Sequence, residues 1–326
     1  MYDVVTLGET MIRFTPPGTL RLEQAQTLEV YVGGSESNTA VGLARLGLRV
    51  CWLSRLTDNP MGHVIANSLR AQGVDTSQIV WTESDRVGLY FLEEAATPRD
   101  SRVIYDRRDS AISRMQPDQL PTDLFKAGEG QLLHLTGITL ALSPTAYETA
   151  ERAMELAKAA GWRFSFDVNY RGKLWSMDTA RAGCQPFMQA ADVLFMPLRD
   201  AKPLFKLGDS MTANDVMGEL RQLYPQATIV MTLGADGAIA SHANGVTVRQ
   251  EAFPAAAVCR LGRGDAFTAG FIYRWLSDSN DIPMALRYGA AMAALKYGIT
   301  GDMPLIEPSE VQAVVAKGGA TGGIAR

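Results

Sequence analysis

The sequence predicts an α/β protein whose mostly parallel sheet is covered by helices on both faces. Two observations lead to this prediction. Short runs rich in Val, Leu and Phe, such as "RFSFDVN" at 163–169, alternate with helical segments along most of the chain. Strands that are apolar on both faces are typical of a parallel sheet between helices. The chain has 326 residues, 47% hydrophobic and 20% charged, which is ample for a large core.

The elements follow one another in a regular order. The predicted strands span 3–9, 49–56, 131–137, 163–169, 192–197 and 227–234. The predicted helices span 35–47, 61–73, 144–161 and 212–224. Ser35, Ser37 and Asn38 offer N-caps for the first helix, and Gly73 ends the second. Right-handed crossovers are expected between successive strands.

Two segments interrupt this alternation. Residues 11–33 and 85–110 look like strands and hairpins with no helix between them, and both are rich in Arg and Tyr. Inserted β segments of this kind often form a lid over the crevice at the strand ends, where α/β folds bind ligands. The alternative is an ordinary extension of the sheet. Residues 1–310 are expected to form the main domain, and 311–326 a C-terminal helix end and a flexible tail.

The composition restricts the class of function. A net charge of −4 gives no indication of nucleic-acid or membrane binding. No apolar run reaches the roughly 18 residues of a membrane span, and the N-terminus does not resemble a signal peptide. The three histidines are isolated, so no metal site is expected. A reducing, cytoplasmic setting is predicted from three scattered cysteines, Cys51, Cys184 and Cys259.

The stretch "RLGRGDAFTAGF" at 260–271 suggests chemistry. Gly262, Arg263 and Gly264 form a turn that enters a helical segment at Asp265. Unpaired N–H groups and the helix dipole make such a helix start a site for anions, phosphate included. A carboxylate beside it can act as general base toward a hydroxyl that attacks the phosphate. The alternative is that Asp265 only caps the helix. No Walker-type loop and no dinucleotide-binding fingerprint is present.

Three motifs taken in order resemble the ribokinase-type (phosphofructokinase-B) carbohydrate kinases over about residues 1–310. They are "GGSESN" at 33–38, "TLGADG" at 232–237 and "GRGD" at 262–265. Other segments, among them "DVNYRGKLW" and "ALKYGITGDMPL", resemble 2-keto-3-deoxygluconate kinases. The resemblance implies a ribokinase-like fold with a β lid. It also implies ATP-dependent phosphorylation of a sugar hydroxyl, with 2-keto-3-deoxygluconate converted to its 6-phosphate.

The resemblance also assigns roles to residues. Asp265 is expected to be the base, and an anion hole is expected from the backbone of Gly262, Arg263, Gly264 and Asp265. The substrate is expected to contact Gly34, Asn38, Tyr90, Tyr105, Arg107, Arg171, Asp265 and Asp302. The nucleotide is expected to contact Asp200, Thr232, Gly234, Gly237 and Gly264. ATP and Mg²⁺ are the implied cofactors, whereas a monovalent cation is left open.

Arginine suits a sugar acid because it binds a carboxylate through two parallel hydrogen bonds. Arg107 and Arg171 are therefore expected to bind the substrate carboxylate, the alternative being that they are solvated surface arginines. Tyr90 is equally compatible with a cross-strand packing role.

Three positions depart from the family pattern. A small residue is usual where Arg263 stands, and an aspartate linked to a monovalent cation is usual where Cys259 stands. Pro197 and Asp200 occupy the ends of a usual Asn-x-x-Glu. The Arg263 side chain has three possible places: beside the phosphoryl group, paired with Asp265, or in solvent. Cys259 is otherwise a small buried apolar residue.

Two other functions remain open at this point. One is phosphorylation of another sugar, such as fructose or ribose. The other is sugar or nucleotide binding with weak turnover, because Cys259 and Arg263 are altered around an intact Asp265. A dinucleotide dehydrogenase is disfavoured by the missing fingerprint. The expected partners are a small sugar or sugar acid and ATP, and a homo-oligomer formed through the lid is expected.

Overall fold

The computed structural model describes residues 1–318 as thirteen strands and ten helices, joined by turns and short 3-10 segments. The strands are β1 (Tyr2–Leu7), β2 (Met11–Thr15), β3 (Glu29–Gly33), β4 (Val50–Thr57), β5 (Ile79–Thr82), β6 (Leu89–Glu93), β7 (Arg102–Asp106), β8 (Gly130–Thr136), β9 (Arg163–Asp167), β10 (Val193–Phe195), β11 (Thr228–Thr232), β12 (Ala238–Ser241) and β13 (Thr247–Gln250). The helices are α1 (Ser35–Arg45), α2 (Pro60–Arg70), α3 (Gly137–Leu140), α4 (Pro144–Ala159), α5 (Met177–Ala190), α6 (Leu198–Leu204), α7 (Ala213–Leu223), α8 (Arg263–Ser277), α9 (Ile282–Tyr297) and α10 (Pro308–Lys317).

Nine strands form the central sheet in the order β13-β12-β11-β10-β9-β8-β1-β4-β5. The strands from β11 through β1 to β5 pair in parallel, whereas β12 and β13 are antiparallel at one edge. The chain order reverses at β1, which has β4 on one side and β8 on the other. The crevice outside the carboxyl ends of strands near such a reversal is where open α/β sheets bind ligands.

The sheet is buried on both faces, as the apolar strands predict. Successive side chains of β1 alternate between the two layers: Val5 packs in the cluster that contains Phe164, and Val4 in the cluster that contains Trp52. The fold predicted from the alternation is therefore confirmed. No helix of the described chain is both long and apolar enough to span a membrane.

The two inserted segments form a separate four-stranded sheet in the order β3-β2-β6-β7. β2 and β6 pair in parallel, and each pairs in antiparallel with its outer neighbour. This small sheet, called the lid below, exposes several apolar side chains, namely Leu28, Val30, Ile104 and Tyr105. Assembly of copies through the lid stays a prediction.

The prediction of side-chain caps on α1 was wrong. The N-cap is Gly34, which has no side-chain cap, and Ser37 bonds back to the Gly34 carbonyl at 3.1 Å. Ser35 and Asn38 instead bond to Asp265 on α8. A carboxylate withdrawn from water needs hydrogen-bond donors, and these two side chains supply them. Several elements had no predicted counterpart: β5, α3, α5, α6, β12, β13 and α9. Of the predicted tail at 311–326, residues 319–326 lie outside the described chain.

Candidate active site

The turn before α8 requires glycine. Gly262 has φ +71°, and a Cβ built there would lie 1.8 Å from the Asp302 carbonyl oxygen. The first helical hydrogen bond of α8 runs from the Ala266 amide to the Gly262 carbonyl oxygen, at 2.9 Å. The amides of residues 263–265 therefore have no intrahelical partner. A Cβ at Gly264 would meet no atom within 4 Å, so open space lies beside these amides.

Asp265 is held by two side-chain donors from α1. Ser35 donates to its Oδ1 and Asn38 to its Oδ2, both at 2.8 Å. Asn169 in turn donates to the Ser35 hydroxyl oxygen at 2.7 Å. Close packing of α1 on α8 brings these groups together. Burial raises the pKa of Asp265, and the bonds from Asn38 and Ser35 offset part of that rise. A raised pKa makes a carboxylate a better proton acceptor.

A cavity of about 600 Å³ opens beside Asp265 at the carboxyl ends of β9, β10 and β11. It brings together the predicted catalytic and nucleotide residues with one predicted substrate arginine: Arg171, Asp200, Thr232, Gly234, Gly237, Gly262, Arg263, Gly264 and Asp265. Its far wall is apolar and is built from small residues of α9 with Leu233 and Phe253. An apolar wall of small side chains is typical of sites for flat aromatic ligands, and the glycine turn supplies donors suited to an anion.

The predicted substrate residues from the lid lie elsewhere. Tyr90 is buried and donates to the Asp302 carboxylate, which also pairs with the buried Arg13 guanidinium at 3.0 Å. None of these three residues lines the cavity. The cross-strand alternative for Tyr90 fits this arrangement, because it pairs with Tyr105 across β6 and β7. Gly34 packs on the backbone of the segment between β1 and β2, since a Cβ there would lie 2.0 Å from the Glu9 carbonyl oxygen.

The two predicted carboxylate-binding arginines differ. The Arg107 guanidinium donates to Glu9 at 2.7 Å, and both side chains are largely buried. Arg171 lines the cavity and is exposed. Among residues 1–318 no carboxylate lies within 4 Å of its guanidinium. Its positive charge favours the ionised forms of Asp265 and Asp167. Arg171 is thus available to an anionic ligand, whereas Arg107 already has a partner.

The Arg263 side chain packs on the end of α9, a place that the sequence analysis did not consider. Its guanidinium bonds to the Tyr297 hydroxyl and lies 4.7 Å from the centre of that ring. It lines the cavity, and in the described chain it forms no ion pair with Asp265. The side chain is half-buried against Tyr297, so it does not project freely into solvent.

Sequence reasoning missed several cavity residues. Asp167 lies at the end of β9 and lines the cavity with Asp200. Burial, and then repulsion from Asp265, raises the pKa of Asp167 to about 8, and burial also raises that of Asp200. The position of Asp167 at a strand's carboxyl end could have identified it. Three further basic side chains also line the cavity: Arg199, Lys202 and Arg260.

Comparison with known proteins identifies the family to which the chain belongs. The family model of the pfkB carbohydrate kinases matches residues 1–307. A 2-dehydro-3-deoxygalactonokinase of Haloferax volcanii is 39% identical over 320 residues, which are 98% of each chain. A 5-dehydro-2-deoxygluconokinase of Shouchella clausii is 30% identical, covering 96% of this chain and 95% of that one. The crystal structure of a Thermotoga maritima 2-dehydro-3-deoxygluconokinase has a TM-score of 0.88 at 30% identity, covering 97% of this chain and 100% of that one.

The fold, the site and these relatives together define an ATP-dependent sugar kinase with the ribokinase-like architecture. The chain belongs to the pfkB family of carbohydrate kinases. The family and the enzyme class predicted from the three motifs are therefore confirmed.

Proposed function

We propose that the enzyme transfers the γ-phosphoryl group of ATP to the 6-hydroxyl of 2-keto-3-deoxygluconate. The observation that carries the proposal is Arg171, a cation without a carboxylate partner in the described chain, in the same cavity as Asp265. A keto-acid sugar brings the carboxylate that such an arginine binds best. Relatives named for 2-dehydro-3-deoxy sugar acids add support.

Asp265 would accept the proton of the attacking hydroxyl. Ser35 and Asn38 hold both carboxylate oxygens, so the carboxylate is oriented before the substrate arrives. The free amides of residues 263–265 would face the transferred phosphoryl group, where the positive end of α8 stabilises its negative charge. The hydroxyl, the base and the anion hole would then share one face of the cavity.

The remaining lining suits ATP with Mg²⁺. Asp167 and Asp200 are carboxylates with raised pKa values, so a divalent cation beside them would offset their mutual repulsion. Mg²⁺ is usually held by one or two carboxylates together with phosphate oxygens. These two residues would hold the ion, which neutralises phosphate charge when bound. Lys202, Arg260 and Arg263 line the same cavity and would contact the phosphates.

The test is coupled ADP release with a panel of sugars. The panel contains 2-keto-3-deoxygluconate, its C4 epimer 2-keto-3-deoxygalactonate, 5-dehydro-2-deoxygluconate, fructose and ribose. We expect kcat/KM for 2-keto-3-deoxygluconate to exceed that for the neutral sugars by at least about 10²-fold, the worth of one good charge pair. Phosphorus–proton correlation on the product identifies the phosphorylated carbon.

The other outcomes separate the alternatives. A higher kcat/KM for fructose or ribose would overturn the sugar-acid proposal and leave the kinase class intact. A preference for either of the other two acids would move the substrate within the acidic class. ADP release with none of the sugars, together with measurable ATP binding, would favour a binding protein with weak turnover.

A further inference from the structure

Lys296, near the C-terminal end of α9, is a buried cation that the proposed reaction does not use. Its side chain is 0% exposed. The ammonium donates to the carbonyl oxygens of Ile299 and Gly301, both at 2.9 Å. In residues 1–318 no carboxylate lies within 4 Å of it. Its direct partners are therefore backbone carbonyls, whereas the Asp302 carboxylate, which is paired with Arg13, acts on it only from beyond 4 Å.

These carbonyls lie where a small cation would be favoured. They belong to the turn that follows α9, at the negative end of the helix dipole. A soluble monovalent ion bound there would need free carbonyl oxygens and, in a buried site, an anionic side chain. Lys296 already occupies two carbonyls. Cys259 is buried, and its thiol donates to the Gly301 oxygen at 3.3 Å, which adds no negative charge. The residues present therefore do not fit a monovalent metal ion.

The same turn supports the anion hole. Backbone of residues 301–302 packs directly on Gly262, because a Cβ at Gly262 would lie 1.8 Å from the Asp302 oxygen and 3.4 Å from Cε of Lys296. Val258 and Cys259 donate their amides to the Tyr297 carbonyl at 2.7 and 3.1 Å, which ties the segment before Gly262 to the end of α9. Both sides of the glycine turn thus rest on the backbone around Lys296.

We infer that the Lys296 ammonium is a built-in replacement for a soluble monovalent cation. It acts as a positioning residue that orders the Gly262 turn, so the enzyme needs no K⁺. The inference rests on the kinase activity but not on which sugar is phosphorylated. It predicts a cation requirement that is absent in the native chain and can be created by substitution.

The first test uses the native enzyme in K⁺, Na⁺ or choline chloride at one ionic strength. Thermal melts need no substrate, so their outcome is independent of the proposed sugar. We expect Tm to agree within about 1 °C among the three salts, and kcat within about 2-fold. A K⁺-specific rise in Tm of about 3 °C or more, or a K⁺-specific activation beyond about 5-fold, would overturn the inference.

The second test removes the positive charge of Lys296 and then adds a negative charge at position 259. Lys296→Met should lower kcat by about 10-fold or more with the sugar KM little changed, because the anion hole and not the sugar site is disturbed. The double variant Lys296→Met with Cys259→Asp supplies an anion and frees the carbonyls. It should gain a K⁺-specific rise in both Tm and kcat.

The matched control is Lys158→Met, which removes an exposed lysine paired with Asp192 and should change neither Tm nor kcat. A folded double variant that is indifferent to K⁺ would contradict the inference. If neither variant folds, the salt comparison on the native enzyme decides alone.

Discussion

Replacing Asp265 with asparagine isolates the proton-accepting role from the hydrogen-bond geometry. The asparagine oxygen can keep the bond from Asn38, and its NH₂ group can donate to the Ser35 hydroxyl oxygen. That oxygen already accepts from Asn169 and has a second lone pair for the new donor. The substitution is therefore accommodated without a buried donor facing another donor. The loss it causes measures the missing base.

A positioned base contributes about 10²–10⁴-fold to the rate, which corresponds to about 2.7–5.4 kcal/mol of transition-state stabilisation. We expect kcat of Asp265→Asn to fall by this factor in the coupled assay. Calorimetric affinity for the sugar should stay within about 10-fold, because the carboxylate is not the main substrate anchor. Asp118→Asn, an exposed acid on a remote 3-10 turn, is the control. A variant that retains more than a tenth of native kcat would refute the assignment of Asp265 as base.

Three further predictions follow from the charged groups. Arg171→Ala should lower kcat/KM for the sugar acid by about 30-fold or more and for fructose by less than about 3-fold, since a charge pair from which the bound sugar acid excludes water is worth about 2–5 kcal/mol; equal losses on both sugars would point to a structural role. Arg107→Ala should lower kcat/KM for the acid and also lower Tm, because it leaves Glu9 buried without its partner; an unchanged Tm would contradict this. Arg263→Ala should raise the KM for ATP with kcat within about 10-fold, because the guanidinium lies on Tyr297 and not on Asp265; a loss of kcat beyond about 10²-fold with the fold intact would place Arg263 at the reacting phosphate.

The dependence of stability on pH tests a buried acid on α1. Burial raises the pKa of Glu36 to about 7, although Thr139 and Thr136 donate to its carboxylate. The folded chain therefore holds a proton that the unfolded chain releases near 4.5, the ordinary pKa of a glutamate side chain. The resulting stability is complete below that value and is lost as pH rises through about 7.

At about 1.4 kcal/mol per pKa unit, the loss is on the order of 3 kcal/mol. Denaturant unfolding of the ligand-free enzyme between pH 5 and 8 should show this decline together with one from Asp167, whose pKa is also raised, and Glu36→Gln should remove the Glu36 share of about 3 kcal/mol. An identical slope in the variant would contradict the assignment to Glu36.

The alternation of strands and helices could be predicted because apolar strands buried on both faces are visible in the sequence. The hairpin of β12 and β13 had no prediction, since β13 is polar and half-exposed at the sheet edge. The same limit applies to α6, which contains Pro203 and is short. Local patterns define helices and central strands well, whereas edge strands and short helices depend on tertiary packing.

The site residues also divide into those that a continuous motif predicts and those that only the assembled fold brings together. The glycine turn and Asp265 could be predicted from one continuous motif. The donor to its Oδ1, Ser35, is 230 residues away and looked like a helix cap. The pair between Arg13 in the lid and Asp302 after α9 was not predicted either, because nothing local in the sequence indicates which acid a distant arginine will meet. Long-range polar pairing follows from the assembled fold.

Cys259 and Arg263, the two departures from the family pattern nearest the catalytic turn, both contact the end of α9 or the turn that follows it. Cys259 bonds to the Gly301 carbonyl that Lys296 also holds, and Arg263 lies on Tyr297, the next residue of α9. With cysteine instead of an acid at position 259, the buried Lys296 ammonium still has hydrogen-bond acceptors, because the carbonyls of Ile299 and Gly301 accept from it. A bulky side chain at 263 has an aromatic surface and a hydroxyl to accept it. Because each altered residue has a partner and Asp265 keeps both donors, the departures weigh against weak turnover and favour a retuned, active catalytic turn.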